Sequence, residues 1–391
     1  MSTTFHTPAV TSRLPRVGTT IFTVMSALAQ QHNAVNLGQG FPDFDCAPEL
    51  LDAVNAAMRS GLNQYPPMAG VPLFREAIAA KVATLYGHSY DPGTEITVTA
   101  GATQAIITAI LALVHPGDEV IVLDPCYDSY EPNIELAGGV AVHVPLTPGT
   151  FAPDFGLIKA AITPRTRAII VNTPHNPSAT VWSAEHMQSL AALLRGTDIV
   201  VIADEVYEHM VFDAREHHSA ARYPGLAARS FIVSSFGKTY HVTGWKVGFV
   251  AAPATLSAEF RKVHQFNVFT VNTPVQYGLA QYMVDARPYL ELPAFYQRKR
   301  DLFRAGLSHT RFRLLPCEGS YFQCVDISEL AVPERHLGEA QFCKWLTTEI
   351  GVAAIPLSAF YGDGFDQNVI RFCFAKKEDT LKSALGRLAS L

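Results

Sequence analysis

Residues 234–249 read SSFGKTYHVTGWKVGF and overlap two short apolar runs, SFIVSS (230–235) and VGFVAA (247–252). Earlier in the chain lie five similar runs: ITVT (96–99), EVIVLD (119–124), VAVHV (140–144), RAIIVN (167–172) and IVVIAD (199–204). Most of these runs are separated by helical patterns, near 103–113, 128–137, 154–161 and 183–195. This alternation predicts an α/β fold with a mostly parallel, seven-stranded sheet between helices. The last two runs are too close for a crossover connection, so one of them is predicted to be antiparallel.

The chain is predicted to divide near DARPYLELP (285–293), which carries two prolines. Beyond this point the pattern is typical of a smaller α+β domain, with a helix over 294–308, short strands around 312–325 and 369–374, and a helix near 336–350. We therefore expect a large domain over 49–288 and a small C-terminal domain over 289–391. Residues 1–48 are expected to form an N-terminal arm that packs with the small domain.

Composition excludes several classes of protein. The 391 residues are 48% hydrophobic and 17% charged, which excludes an intrinsically disordered chain. A net charge of −5 makes the chain as a whole a poor binder of nucleic acid. The six cysteines include no CxxC pair and no cluster with zinc spacing, so we expect reduced thiols, a cytoplasmic location and no metal. The N-terminus lacks the apolar segment of a signal peptide, and no stretch is typical of a membrane span.

Polar or aromatic side chains follow five of the predicted strands, at Gly101 to Thr103, Tyr127, Asn172 with Asn176, Asp204, and Ser235 to Lys238. In open α/β sheets ligands bind at the carboxyl ends of strands, so these residues predict one shared site, although loops are polar for other reasons as well. Three phosphate or nucleophile motifs are excluded around Lys238. The P-loop needs a glycine where Ile232 stands, the S-x-x-K motif of acyl-serine hydrolases needs a later K-T-G, and no G-x-G-x-x-G occurs.

Seven motifs in order resemble those of the pyridoxal-phosphate-dependent aminotransferases of fold type I, the class I/II family. They are NQY (63–65), TAGATQA (99–105), DPCYDSYEP (124–132), NTPHNPSATVW (172–182), DEVYEH (204–209), SSFGKTYHVTGWKVG (234–248) and IRFCFAKKEDTL (370–381). Within this family the chain is most similar to bacterial methionine aminotransferases, and next to kynurenine aminotransferases (glutamine transaminase K). The resemblance runs from about residue 20 to the C-terminus.

The resemblance assigns Lys238 to the Schiff base with pyridoxal 5′-phosphate, Asp204 to the pyridinium nitrogen, and Tyr207 with Asn176 to the phenolic oxygen. The phosphate is assigned to Ala102, Thr103, Ser235 and Lys246, and Tyr127 is assigned to the face of the ring. Simpler interpretations stay open: Lys238 as a surface lysine, Asp204 as a helix N-cap, Asn176 as a turn residue before proline, and Tyr127 as part of the core.

Tyr65 resembles the tyrosine that reaches the phosphate of the neighbouring subunit, which implies a homodimer with shared active sites. Local packing is the alternative for Tyr65.

For the substrate, the resemblance assigns Arg371 to the carboxylate and counts Asn176, Gly40 and Phe22 among the substrate-binding residues, with Gly40 and Phe22 lining the pocket. An internal salt bridge is the alternative for Arg371. We expect a ping-pong aminotransferase that moves the amino group of methionine and aromatic amino acids to a 2-oxo acid. Kynurenine transamination and β-elimination of cysteine S-conjugates are the rival activities, and Val271 and Asn272 depart from the kynurenine branch. A non-catalytic binding or regulatory protein on the same fold is the rival from another class.

Overall fold

The computed structural model of the protein describes residues 9–330, 337–389 and 391. Its strands are β1 (Val35–Asn36), β2 (Ile96–Thr99), β3 (Glu119–Asp124), β4 (Val140–Pro145), β5 (Thr166–Asn172), β6 (Val200–Asp204), β7 (Ser230–Ser235), β8 (Gly248–Ala251), β9 (Arg313–Leu314), β10 (Phe322–Asp326), β11 (Val352–Ala353), β12 (Ile355–Pro356) and β13 (Val369–Cys373).

Its α-helices are α1 (Ile21–Gln31), α2 (Pro48–Arg59), α3 (Pro72–Tyr86), α4 (Gly101–Leu113), α5 (Tyr130–Leu136), α6 (Phe155–Ala161), α7 (Ala184–Leu193), α8 (Pro224–Ala227), α9 (Phe236–Thr239), α10 (Ala254–Asn267), α11 (Thr273–Tyr282), α12 (Arg287–Leu290), α13 (Leu292–Leu307), α14 (Glu339–Trp345) and α15 (Glu378–Leu388). A π-helical segment, Leu346–Ile350, continues α14. Short 3₁₀ segments cover Ala220–Arg222, Thr243–Trp245 and Leu357–Phe360.

The central sheet has seven strands in the order β2-β8-β7-β6-β5-β3-β4. Neighbouring strands from β7 to β4 are parallel, whereas β8 is antiparallel to both β2 and β7. The predicted α/β fold with a mostly parallel sheet is therefore confirmed. The prediction that one of the last two strands of this sheet along the chain is antiparallel is also confirmed, and that strand is β8. Strands β3, β5 and β6 are rich in Val, Ile and Ala and are almost wholly buried, because helices cover both faces of the sheet.

A second, four-stranded sheet has the order β12-β13-β10-β9 and is antiparallel throughout. Its strands and the flanking helices α13 and α14 lie close to the positions expected for a C-terminal α+β region. Strand β1 of the N-terminal segment pairs with β11 in parallel, and the Cys373 backbone N–H donates to the Leu37 carbonyl at 2.7 Å. The N-terminal segment thus lies against the C-terminal part of the chain.

The topology brings the ends of several strands to one edge of the central sheet. Strands β2, β5, β6 and β7 run in the same direction, so their carboxyl ends meet there. Helix α4 begins directly after β2, and the single turn α9 begins directly after β7. Within the described residues, no helix combines the length and the apolar character that crossing a membrane requires.

Candidate active site

A cavity of about 260 Å³ lies at this edge of the sheet. Every site residue expected from the sequence lines it except Tyr65: these are Phe22, Gly40, Ala102, Thr103, Tyr127, Asn176, Asp204, Tyr207, Ser235, Lys238, Lys246 and Arg371. The cavity has walls from the central sheet, from β10 and β13 of the second sheet, and from the N-terminal segment. Residues from all parts of the chain therefore converge on a single site.

Lys238 lies in α9, a helical turn of four residues. Its Nζ donates to the Tyr321 hydroxyl at 2.7 Å and to the Gly40 carbonyl oxygen at 3.2 Å. Burial lowers the pKa of Lys238 to about 8, with a smaller lowering from Arg371. The side chain points into the cavity and is held by two neutral acceptors, so it is not a solvated surface lysine.

Asp204 ends β6 with 4% of its surface exposed. The Tyr130 hydroxyl donates to its Oδ2 at 2.6 Å, and the Val206 backbone N–H donates to its Oδ1 at 3.3 Å. Burial raises the pKa of Asp204 to about 6, against the opposing effect of the Tyr130 hydrogen bond. Turns and not a helix follow Asp204, so its carboxylate is not a helix N-cap.

Asn176 and Tyr207 lie beside Asp204 and Lys238. The Asn176 backbone N–H donates to Asn172 Oδ1 at 2.7 Å, and the Asn172 side chain donates to the Asp204 carbonyl at 2.8 Å. These bonds fix Asn176 against the end of β6. The Tyr207 ring lies 5.5 Å from Lys238 Nζ, and burial raises the pKa of Tyr207, so its hydroxyl stays protonated at neutral pH.

The first turn of α4 borders the cavity with free backbone donors. No side chain caps this helix at Ala100, and its first residue, Gly101, has a φ of +76°. This positive φ favours glycine, and the Lys246 side chain lies beside the helix start, with its Nζ 3.5 Å from the position that a Cβ on Gly101 would take. An uncapped helix N-terminus with a lysine beside it is suited to bind an anion, with Ala102 and Thr103 supplying N–H groups.

The Tyr127 ring packs at 84° to the Tyr130 ring, with the two centroids 5.7 Å apart. The Tyr127 hydroxyl forms a hydrogen bond with Thr103, and burial raises the pKa of Tyr127. This aromatic side chain is therefore partly buried and lines the cavity.

Arg371 lies in β13 with 1% of its surface exposed. Its guanidinium donates to Asn176 Oδ1 at 2.6 Å and to the Gly38 carbonyl at 3.2 Å, and its Nε has no hydrogen-bond partner among the described residues. The Phe322 ring lies 3.9 Å from the guanidinium carbon. Both hydrogen-bond partners are neutral, so the geometry differs from the internal salt bridge that was the alternative. A buried arginine with neutral partners is suited to an anionic ligand.

Sequence reasoning missed Tyr321, Tyr130 and Phe322. Tyr130 belongs to a motif that was recognised, but its bond to Asp204 spans 74 residues and leaves no local signal. Tyr321 and Phe322 lie at β10, in the second sheet. The stretch GSYFQ (319–323) around them resembles an ordinary buried strand.

Tyr65 is not brought to the cavity of its own chain. Its side chain is 81% exposed, and its ring contacts the Phe269 ring at a centroid distance of 5.2 Å. Within the described residues, Tyr65 thus packs against the Phe269 ring and leaves most of its surface exposed.

The sequence profile of the family described as "Aminotransferase class I and II" matches residues 32–388. The chain belongs to the class I and II aminotransferases. Aminotransferases of this family use pyridoxal phosphate and act on amino acids and 2-oxo acids, so the protein is an enzyme, which excludes the non-catalytic alternative.

Two curated aminotransferases and one solved structure illustrate the similarity. The methionine aminotransferase of Escherichia coli (strain K12) is 53% identical over 382 residues, which cover 97% of this chain and 98% of that protein. An E. coli crystal structure described as having a methionine aminotransferase function has a TM-score of 0.96 at 52% identity, and covers 98% of this chain and 100% of its own. The human kynurenine–oxoglutarate transaminase 1 is 36% identical over 390 residues, which cover 91% of this chain and 92% of that protein.

The residues of this aminotransferase site fit the family's cofactor. Pyridoxal phosphate carries a phosphate, a ring nitrogen that can take up a proton, and an aldehyde. The uncapped start of α4 suits the phosphate. Asp204 is a buried carboxylate whose hydrogen-bond donors are both neutral, which suits a cationic ring nitrogen. Lys238 supplies an amine in the same cavity.

Proposed function

We propose that this aminotransferase moves the amino group of methionine and of aromatic amino acids to a 2-oxo acid in a ping-pong cycle. One observation carries the proposal: the Lys238 amine, the Asp204 carboxylate and the Arg371 guanidinium all line one cavity. The relative that is 53% identical, named a methionine aminotransferase, supports the choice of donor.

Each group of lining residues has a proposed role toward the cofactor. Ala102, Thr103, Ser235 and Lys246 bind the phosphate, and Tyr127 packs against the ring. Asp204 pairs with the ring nitrogen, while Asn176 and Tyr207 donate to the phenolic oxygen. When bound, the cofactor supplies an electron sink for the charge that develops at the substrate Cα.

Lys238 then moves the proton at the substrate Cα. A general base works best when its pKa lies near the working pH, and the pKa of Lys238 is lowered to about 8 by burial. A substantial part of the amine is therefore neutral at mildly alkaline pH. The two neutral acceptors that hold it do not compete for the substrate proton.

The walls of the cavity support an apolar donor. Phe22, Ile106, Val206 and Phe322 line it, and they can pack against a thioether or an aromatic side chain. Arg371 is the one arginine among the lining residues, and it is assigned to the α-carboxylate. Among the described residues that line the cavity, no second guanidinium is available to the side chain of an acidic donor such as aspartate.

A panel of donors tests the function. We expect the purified protein to be yellow, with an absorption band that shifts when methionine is added. With one 2-oxo acid acceptor, kcat/KM should be highest for methionine, intermediate for phenylalanine and lowest for aspartate. A higher value for kynurenine than for methionine would contradict the proposal. Release of pyruvate from a cysteine S-conjugate without an acceptor would measure β-elimination.

Covalent mapping checks the site in the same sample. Borohydride reduction followed by peptide mass spectrometry should place the cofactor on Lys238. The adduct should be absent when the cofactor is removed before reduction. An adduct on a different lysine in cofactor-saturated protein would show that the site is wrong even if transamination is present.

We also propose that the enzyme is a cytoplasmic homodimer with shared sites. Tyr65 and Phe266 expose 81% and 90% of their side chains, and Phe269, which contacts Tyr65, is 39% exposed. A second copy of the chain would cover these apolar rings and receive the Tyr65 hydroxyl at its phosphate site. All six cysteines are free thiols, which supports a reducing compartment.

Arg371→Lys should lower kcat/KM for methionine about tenfold, mainly through a higher KM. Lysine keeps the charge but loses one of two parallel hydrogen bonds to the carboxylate. Steady-state kinetics checks this result. Arg304→Lys is the matched control, since in the described part of the chain Arg304 donates to the Leu315 carbonyl and to Gln323 Oε1, and it does not line the cavity. An unchanged KM in Arg371→Lys would remove Arg371 from carboxylate binding.

A further inference from the structure

Tyr321 is a fully buried tyrosine that no motif identified, and its hydroxyl contacts the amine of Lys238. Its oxygen accepts from Lys238 Nζ at 2.7 Å, and its proton goes to the Gly40 carbonyl oxygen. That carbonyl also accepts from Lys238 Nζ at 3.2 Å. The Lys238 amine, the Tyr321 hydroxyl and the Gly40 carbonyl are thus all hydrogen-bonded to one another, and the amine donates two of these bonds.

These hydrogen bonds fix the direction of the amine. A neutral amine has two N–H donors and one lone pair. When both donors are engaged, by Tyr321 and by Gly40, the lone pair has only one remaining direction. The partners lie next to β10 of the second sheet and in the N-terminal segment, so the structure determines this direction from outside the helical turn α9 that carries Lys238.

The ring of Tyr321 is itself held firmly. Its centroid lies 5.1 Å from that of Tyr207, 4.9 Å from that of Phe322 and 5.8 Å from that of Tyr296. Burial raises the pKa of Tyr321 well above its ordinary value, so the hydroxyl keeps its proton at neutral pH. Tyr321 therefore acts as a neutral hydrogen-bond partner and not as a base.

We propose that Tyr321 is the positioning residue for the Lys238 amine, orienting its lone pair toward the substrate Cα. The inference rests on the proposed function, because it takes Lys238 as the lysine that moves the proton. The Tyr321 hydroxyl is engaged with Lys238 and Gly40 and also forms a hydrogen bond with Tyr207, so the tests below measure the Lys238 amine itself.

The pKa of Lys238 in the cofactor-free, full-length protein is the first readout. An acceptor oxygen stabilises an ammonium more than an amine, so Tyr321→Phe should lower this pKa by about one unit. Competitive acylation across pH, followed by peptide mass spectrometry, measures it. The other titratable and charged groups that face Lys238 are the same in this variant as in the wild type. They are Asp204, Tyr207, Lys246, Arg371 and Cys373.

The second readout compares the effects of Tyr321→Phe on kcat and on KM in the cofactor-loaded enzyme. With a misdirected lone pair, kcat for methionine should fall about tenfold while KM changes less than about twofold. Tyr296→Phe is the matched control: Tyr296 is also buried beside the Tyr321 ring, but its hydroxyl has no partner in the described part of the chain. This control should leave both the Lys238 pKa and kcat unchanged.

Two outcomes distinguish a failure of the proposed role of Tyr321 from a failure of the proposed function. If borohydride labels Lys238 but its pKa and kcat in Tyr321→Phe equal those of wild type, the role of Tyr321 is wrong and the function stands. If another lysine is labelled, the proposed site is wrong. Should Tyr321→Phe fail to fold, 3-fluorotyrosine at position 321 keeps the shape and weakens the acceptor, and an unchanged Lys238 pKa would overturn the inference.

Discussion

Lys238→Ala is expected to fold normally and to lose transamination by at least ~10³-fold, because one substitution removes both the amine that binds the cofactor and the base that moves the proton. The alanine leaves the Tyr321 and Gly40 acceptors in place, so the walls of the cavity keep their geometry. Turnover of methionine measures the loss, and thermal unfolding checks the fold. Lys262→Ala in α10 is the matched control, since Lys262 is exposed and pairs only with Glu259 in the described structure.

Mixing this variant with Tyr65→Phe tests whether the site is shared. If Tyr65 acts across the interface, a mixed dimer carries both lesions in one site and leaves the other site intact. Equal mixing then restores about a quarter of the wild-type sites, since half of the dimers are mixed. The assay is run at a limiting cofactor concentration, where Tyr65→Phe alone is largely empty. Activity that does not rise on subunit exchange would place Tyr65 within its own site.

Asp204→Asn should lower transamination by at least ~10²-fold without loss of the fold, the low end for a lost electrostatic or proton-transfer contact. The amide has the size of the carboxylate but cannot hold a proton on the ring nitrogen. Burial already raises the pKa of Asp204 to about 6, so its ionised form requires a cationic partner. Turnover of methionine at saturating cofactor gives the measurement.

Tyr130→Phe is the control for Asp204→Asn. It removes the 2.6 Å hydrogen bond to Asp204 but keeps the carboxylate. Its turnover should fall far less than that of Asp204→Asn. Near-normal turnover in Asp204→Asn itself would mean that another group protonates the ring.

The central sheet was predictable because its strands are continuous apolar runs, and a run that stops at a charged residue indicates the end of the strand. Asp204 after IVVIA is such a case. Lys238 was recognisable from its motif, but the helical turn α9 was not, since four residues that include Gly237 carry no helical pattern.

Contacts between distant segments left no signal in the sequence. Tyr321 is 83 residues from Lys238 along the chain, and only the packing of the second sheet against the first brings their polar atoms together. The same holds for the bond from Arg371 to Asn176, which spans 195 residues. Tyr65 is a different case, since a single chain does not contain the surface on which its proposed role depends.

Strands β7 and β8 are neighbours in the sheet, and the segment that carries Lys238 connects them. The backbone N–H of Phe236 donates to the Val247 carbonyl at 3.0 Å. This hydrogen bond joins the two ends of the short connecting segment. The backbone of Lys238 is therefore tied to two buried strands of the central sheet. The amine can therefore change partner only by rotation about its own side-chain bonds. Such a rotation breaks its hydrogen bonds to the Tyr321 hydroxyl and the Gly40 carbonyl, so the length of the lysine side chain sets the region that the amine can reach.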